Sequence, residues 1–313
     1  MAVATLGAFV VVAGVLGIVS LYLGAVTQVL SGVQRTSPLP DYVGRPTPTA
    51  ANPDNVRPMR YLVLVNDADG TLASAYLAQL SGHRDSLHLI GLPANLLVTD
   101  LHGRDATLAS RFAAGSAEAV RSIESLLGLR VDHLVMLELS GFTRVIDMVG
   151  GVTVQNRMET AADGWHFGAG ELRLNGTEAS VFLGSSKQSM WTLERTQAVF
   201  IEIVRGIVGG DALTNPAKVE TIGQVLRTCV TVDAALTPGE IRRMALDVHL
   251  TSDAINGTPL PLAGVSDMNG SPVIVADAAR LPELTDALTS DDIATWAHKQ
   301  DDPWAPLADL PPR

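Results

Sequence analysis

The stretch from Asp132 to Val154, DHLVMLELSGFTRVIDMVGGVTV, constrains what this chain can fold into more than any other. His133 to Leu139 reads as a buried strand, Gly141 to Met148 as a short helix, and Val152 to Gln155 as a second strand. Phe142, Val145, Ile146 and Val149 recur at three- and four-residue spacing, which gathers them on one helical face. Gly150 and Gly151 can take the positive φ needed where the helix stops and the chain reverses into a strand. Strand, helix and strand in succession belong to folds in which helices cover a sheet. The apolar residues of such a stretch pack; they do not react.

The surrounding sequence repeats the alternation. Tyr61 to Val65 (YLVLV), Ala73 to Leu80 and Ser86 to Leu92 read as strands. Ser116 to Leu127 is an amphipathic helix, with Ser116 placed to cap it and Gly128 to end it. Asn175-Gly176 marks a turn into a helix near Glu178 to Leu183, and Leu193 to Val208 carries a strong helical period. Helices over Pro238 to Asp247 and Asp277 to Leu288, with a strand at Pro272 to Val275, complete the pattern of an α/β sandwich around a mostly buried sheet. His88, within the third strand, reads as an interior histidine.

Two flanks differ from this domain. Ala2 to Leu30 contains no charged side chain and exceeds the ~20 apolar residues that cross a bilayer as a helix, so it reads as an uncleaved transmembrane anchor. Pro38, Pro40, Pro46, Pro48, Pro53 and Pro58 then forbid helix and predict an extended spacer that stands the domain off the membrane. The tail from Asp301 to Arg313 is Pro-rich and reads as disordered. The resulting division is an anchor over 1–30, a linker over 31–58, an α/β domain over 59–291 and a flexible tail over 292–313. The net charge of −11 argues against nucleic acid as a partner, since phosphates require a basic face. The single cysteine, Cys229, rules out an intramolecular disulfide and reads as a buried, inert thiol.

From Tyr61 to Asp291 the order of segments resembles the LytR-CpsA-Psr family. SIESLLGLRVDHLV, GFTRVIDMVGGVTV, FGAGELRLNGTEASVF and LERTQ carry the resemblance, in that order and at compatible spacing. It implies an αβα sandwich with a central mixed sheet, anchored in the membrane and extracytoplasmic. The nearest basic residues, Arg35 and Arg45, follow the apolar run and by charge alone would put the domain in the cytoplasm. The resemblance outranks that signal. It also implies transfer of a glycopolymer from a polyprenyl-pyrophosphate carrier to the cell wall, assisted by Mg²⁺, with the lipid chain in an apolar tunnel under the sheet.

Such a transfer needs fixed cations around the phosphates and a metal held by carboxylates. Here the chain departs from the family pattern. Asp67 is kept, but the arginine two residues on is Asp69. The family's RSD aligns with Leu72-Ala73-Ser74, its PRD with Pro93-Ala94-Asn95 and its RxR with Gly184-Ser185-Ser186. In RxxRQQ the first arginine is Thr192, while Arg195 and Gln197 remain. Removing one phosphate-clamping arginine costs ~10³–10⁵ in phosphoryl-transfer rate. The remnant reactive candidates are therefore Arg195, Lys187 and Asp67. Lys187, Arg195 and Gln197 are candidates for a lipid phosphate, and Asp67 is the candidate metal ligand. The expectation is a domain that binds polyprenyl-linked precursors or an active relative without transferring them. The alternative is a working Mg²⁺-dependent transferase that uses Asp67, Lys187 and Arg195.

Overall fold

The computed structural model describes residues 33–300 except 53, 55, 185–188 and 210–215. The apolar run Ala2–Leu30, Ser185, Ser186, Lys187 and the tail Asp301–Arg313 lie outside the described residues, as do the side chains of Phe142, Trp191 and Thr192. Among the described residues no helix is long and apolar enough to cross a membrane.

A mixed seven-stranded sheet forms the centre. Its strands are β1 (Gln34–Arg35), β2 (Met59–Asn66), β3 (Leu72–Leu80), β4 (Leu87–Leu92), β5 (His133–Glu138), β6 (Val230–Val232) and β7 (Ile255–Pro259). They lie in the order β1-β6-β5-β2-β3-β4-β7. The β1/β6, β2/β5 and β4/β7 pairs are parallel, and the other three are antiparallel. The helices are α1 (Leu108–Ala114), α2 (Ser116–Leu127), α3 (Leu139–Met148), α4 (Gly176–Gly184), α5 (Ser189–Gly209), α6 (Pro216–Cys229), α7 (Pro238–Asp247), α8 (Leu281–Thr289) and α9 (Ile293–His298).

Tyr61 to Val65 are all buried, because both faces of the sheet are covered and a central strand has no wet side. On one face Tyr76 stacks on Phe200 of α5, ring centres 5.8 Å apart. On the other, buried Arg60 donates to Gln79 Oε1 at 3.0 Å and to the Leu288 carbonyl of α8 at 2.7 Å. The result is helix, sheet and helix in three layers. The opening stretch folds as read: Gly150 and Gly151 take φ of 85° and 93° between α3 and the strand Val152–Asn156. Asn175 and Glu178 exchange backbone and side-chain hydrogen bonds at the head of α4, a reciprocal capping box. Cys229 is buried, and burial pushes its thiol up to about 11.

Several details differ from the sequence expectation. Ser116 is the first helical residue of α2; the cap position is Gly115, and Gly128 closes the helix in the left-handed conformation. The helix expected from Asp277 begins at Leu281, where Pro282 fits a first turn that needs no N–H there. Asp277 instead accepts the backbone N–H groups of Arg280 and Leu281 in a turn. The described residues of the Pro-rich segment form no helix, and the segment does not stand free. Val33 is buried and β1 pairs with β6, Tyr42 and Arg45 bind Glu124, and Thr49 accepts from Arg60. Glu124 explains this: a carboxylate with no exposed surface requires partners, and the segment supplies them. Packing also continues past residue 291, since Ile293 and Trp296 of α9 are buried.

His88 is interior, with Nε2 3.1 Å from Thr258 Oγ1 of β7. Burial, reinforced by His298, lowers its pKa from the usual 6.5 to about 4. The unfolded chain therefore takes up this proton more readily, and the stabilisation present above pH 6.5 is lost as pH falls toward 4. The loss amounts to about 3 kcal/mol. His88→Gln keeps a hydrogen-bonding side chain without a titration there. Urea denaturation across this range is expected to show a shallower acid slope for the variant.

Candidate functional site

Two places hold the residues that matter. The first is the end of the sheet where β2 finishes, β3 begins and β4 finishes. Asp67 follows β2 and is consumed by its own turn: Oδ1 accepts the N–H groups of Asp69 and Thr71 at 3.0 Å each, and Oδ2 accepts the Thr71 hydroxyl at 2.7 Å. Ser74 lies on β3 opposite Val65, fully buried, with its hydroxyl beside that of Tyr76 on the same face of the strand. Ala94 packs against the core, and its carbonyl accepts the N–H of Ala109 in α1. Asn95 turns its amide to the Pro272 carbonyl at 3.2 Å. Gly184, at the end of α4, is exposed.

The second place is a cleft of about 360 Å³ between α5, the strand Val152–Asn156 with its continuation to Met158, and the start of β7. Arg195 lies in its wall, buried, with its guanidinium 4.5 Å from the centre of the Phe182 ring. It donates to the Phe182 carbonyl at 3.4 Å and to the Thr160 hydroxyl. Burial pulls the Arg195 pKa down, and Glu194 opposes that shift. Gln197 is buried two residues on, its Nε2 donating to the Leu89 carbonyl at 2.9 Å while Oε1 has no partner. The helix can come this close because Gly91 and Gly257 lie beneath Gln197, where a Cβ on either would collide with it.

The structure thus brings Arg195 and Gln197 together, whereas Asp67 does not line the cleft. Sequence reasoning missed its other charged walls. Arg157 pairs with Glu194 at 2.5 Å. Arg205 pairs with Glu202 at 2.7 Å and also holds the Ile255 carbonyl at 2.8 Å. A signal for the helical half existed: Glu194, Ala198, Ile201, Glu202 and Arg205 recur at three- and four-residue spacing and so share a face of α5. With three guanidiniums, two carboxylates and a lining that includes Phe182, Ile201 and Met158, the cleft can hold an anionic group beside an apolar chain.

Mg²⁺ takes near-octahedral oxygen ligands, one or two of them carboxylates beside substrate phosphates. The one retained carboxylate, Asp67, already accepts three hydrogen bonds within its turn. Among the described residues, no three His, Cys, Asp or Glu side chains gather into a metal-holding group. The described residues do not fit the ion.

The fold agrees with known proteins. The sequence profile of the LytR_cpsA_psr family matches residues 69–290, and the chain belongs to that family. The polyisoprenyl-teichoic acid–peptidoglycan teichoic acid transferase TagU of Halalkalibacterium halodurans is 25% identical over 158 residues, covering 48% of this chain and 52% of that protein. The chain therefore spans about half the length of this curated relative. Among solved structures, B. subtilis TagV superposes with a TM-score of 0.61 at 20% identity, covering 76% of this chain and 98% of that one. A LytR-Csp2A-Psr enzyme from Actinomyces oris gives 0.60 at 17% identity, covering 78% and 96%. These likenesses establish the mixed α/β fold with its central mixed sheet.

Proposed function

We propose that this chain is a membrane-anchored, extracytoplasmic member of its family that serves cell-wall glycopolymer assembly by binding a polyprenyl-linked phosphate or pyrophosphate, without performing the transfer. Ala2–Leu30 is the anchor in this reading, and an active relative or the lipid-linked glycopolymer is the partner. One observation carries it. The packing frame of the family is intact, while Asp69, Leu72, Ala94 and Gly184 stand where the family's pattern places arginines. Phosphoryl transfer is accelerated almost entirely by positioning and by fixed charge, so a frame without the clamps retains binding and loses rate.

The cleft supports the binding half of this reading. Arg157 and Arg205 are partly exposed, and pairs of that kind contribute little to stability, so an incoming phosphate can displace Glu194 or Glu202 from them at small cost. Full-length protein in nanodiscs, titrated with polyprenyl phosphate, is expected to bind saturably. Arg195→Ala is expected to weaken binding by roughly tenfold, the loss of one charge-assisted contact. An absence of any saturable binding would overturn the proposal.

A further inference from the structure

We infer that the corner of the domain where β1, β6, α3 and α6 meet is a membrane-facing surface that rests on anionic headgroups, and that the docked segment before β2 holds it there. The inference rests on the reading of Ala2–Leu30 as an anchor, and goes beyond it by fixing which end of the sheet faces the bilayer.

The length of chain outside the structure sets the first constraint. From Leu30 to Gln34 is a four-residue step, at most ~14 Å of extended chain. Were the Pro-rich segment a free spacer to Pro58, the reach would be on the order of 90 Å. It is instead bound along its length. Gln34 and Arg35 pair with Thr231 and Val232, Arg45 and Tyr42 hold the buried Glu124, and Thr49 binds the buried Arg60. The effective tether is the short one.

Register gives the direction. Gln34 lies beside Thr231, Thr231 beside Met136, and Met136 beside Leu64. The chain enters the sheet near the finishing ends of β2 and β5, and β1 runs opposite to β2. The β2–β3 turn around Asp69 is therefore at the near end, and the β3–β4 turn around His83 at the far end. They are separated by the length of β3, nine residues or ~30 Å.

Charge supplies the chemistry. Arg35 on β1 and Arg144 on α3 are exposed, and Arg227, in the last turn of α6, is partly so. Arg144 reaches across to the Thr228 hydroxyl at 3.2 Å, which ties α3 to the end of α6 where it feeds β6. Glu138, which faces Cys229 together with Arg144, is the acidic group within this corner, and Asp67 and Asp69 lie further along the same end, after β2. A chain with net charge −11 is repelled by an anionic surface overall, and a basic corner is where that repulsion is offset. The corner nearest the anchor carries Arg35, Arg144 and Arg227.

The test uses full-length protein reconstituted in phosphatidylcholine vesicles containing phosphatidylglycerol. A fluorophore is attached at Asp69→Cys or at His83→Cys, both exposed positions, with Cys229 left buried. Quenching by a headgroup spin-labelled lipid is expected to be several-fold stronger at position 69. The difference should shrink when a flexible Gly/Ser insert of about 20 residues, spanning ~25 Å, separates Gly32 from Val33. It should shrink again when Arg35, Arg144 and Arg227 are all changed to Glu. Equal or reversed quenching in protein that stays with the vesicles would overturn the orientation alone. Failure to stay with the vesicles would overturn the anchor reading with it. An unchanged difference in the triple-Glu variant would remove the headgroup contact.

Discussion

Glu124→Ala is expected to lower the melting temperature by roughly 10 °C, measured by circular dichroism on the full chain. Glu124 has no exposed surface, and its oxygens accept from Tyr42 Oη at 2.8 Å, from Arg45 Nη2 at 2.9 Å and from the Val131 N–H at 3.0 Å. Removing the carboxylate leaves the nearly buried Arg45 guanidinium without its counter-charge, a cost of about 3–5 kcal/mol. In a domain of this size each kcal/mol moves the midpoint by about 2–4 °C. The double variant Arg45→Ala/Glu124→Ala should be less damaging than the two single losses summed, because the stranded charge is gone. A shift under about 2 °C would mean that the segment before β2 is not held as described.

Ser74→Asp is the second large effect expected. The family pattern puts an aspartate at this position, two residues after an arginine that is Leu72 here. In this chain Ser74 is fully buried and Leu72 nearly so. An aspartate would arrive in an apolar interior without a cation, and burial of that kind raises a carboxylate by ~3–5 pKa units, or about 4–7 kcal/mol against the ionised form. The variant should unfold at much lower denaturant near neutral pH and recover in acid, where the carboxyl is protonated. Ser74→Ala, by contrast, removes at most one neutral hydrogen bond, to the Tyr76 hydroxyl, and should stay within ~1 kcal/mol of the parent. If Ser74→Asp were tolerated without loss, cationic groups would have to remain near β3, and the account of an eroded charge set would fail.

The fold was legible because its strongest signals are local. YLVLV, the period of Ser116–Leu127 and the Gly150-Gly151 reversal each depend on residues that are neighbours in sequence. Elements held by partners from afar were not. β7 reads INGTP, with a glycine and a proline that deny any strand signal, yet it forms the sheet's edge beside β4, where an edge strand tolerates proline. β6 is three residues long and exists because β1 and β5 flank it. The prolines argue against helix before β2, but nothing local shows that Arg45 is required by Glu124, seventy-nine positions on. The site divides in the same way. Arg195 and Gln197 stood out because they share a short motif. Arg157 and Arg205 each look like solvated surface until the fold sets Arg157 against Glu194 and Arg205 against Glu202 and the start of β7.

The central claim is binding without transfer, and one measurement tests it most directly. Full-length protein in nanodiscs is supplied with Mg²⁺ and a polyprenyl-pyrophosphate-linked oligosaccharide, and cleavage of the pyrophosphate link is followed beside retention of the lipid. The account predicts retained lipid and no cleavage above the protein-free background. Mg²⁺-dependent cleavage by the parent, abolished by Arg195→Ala, would contradict it.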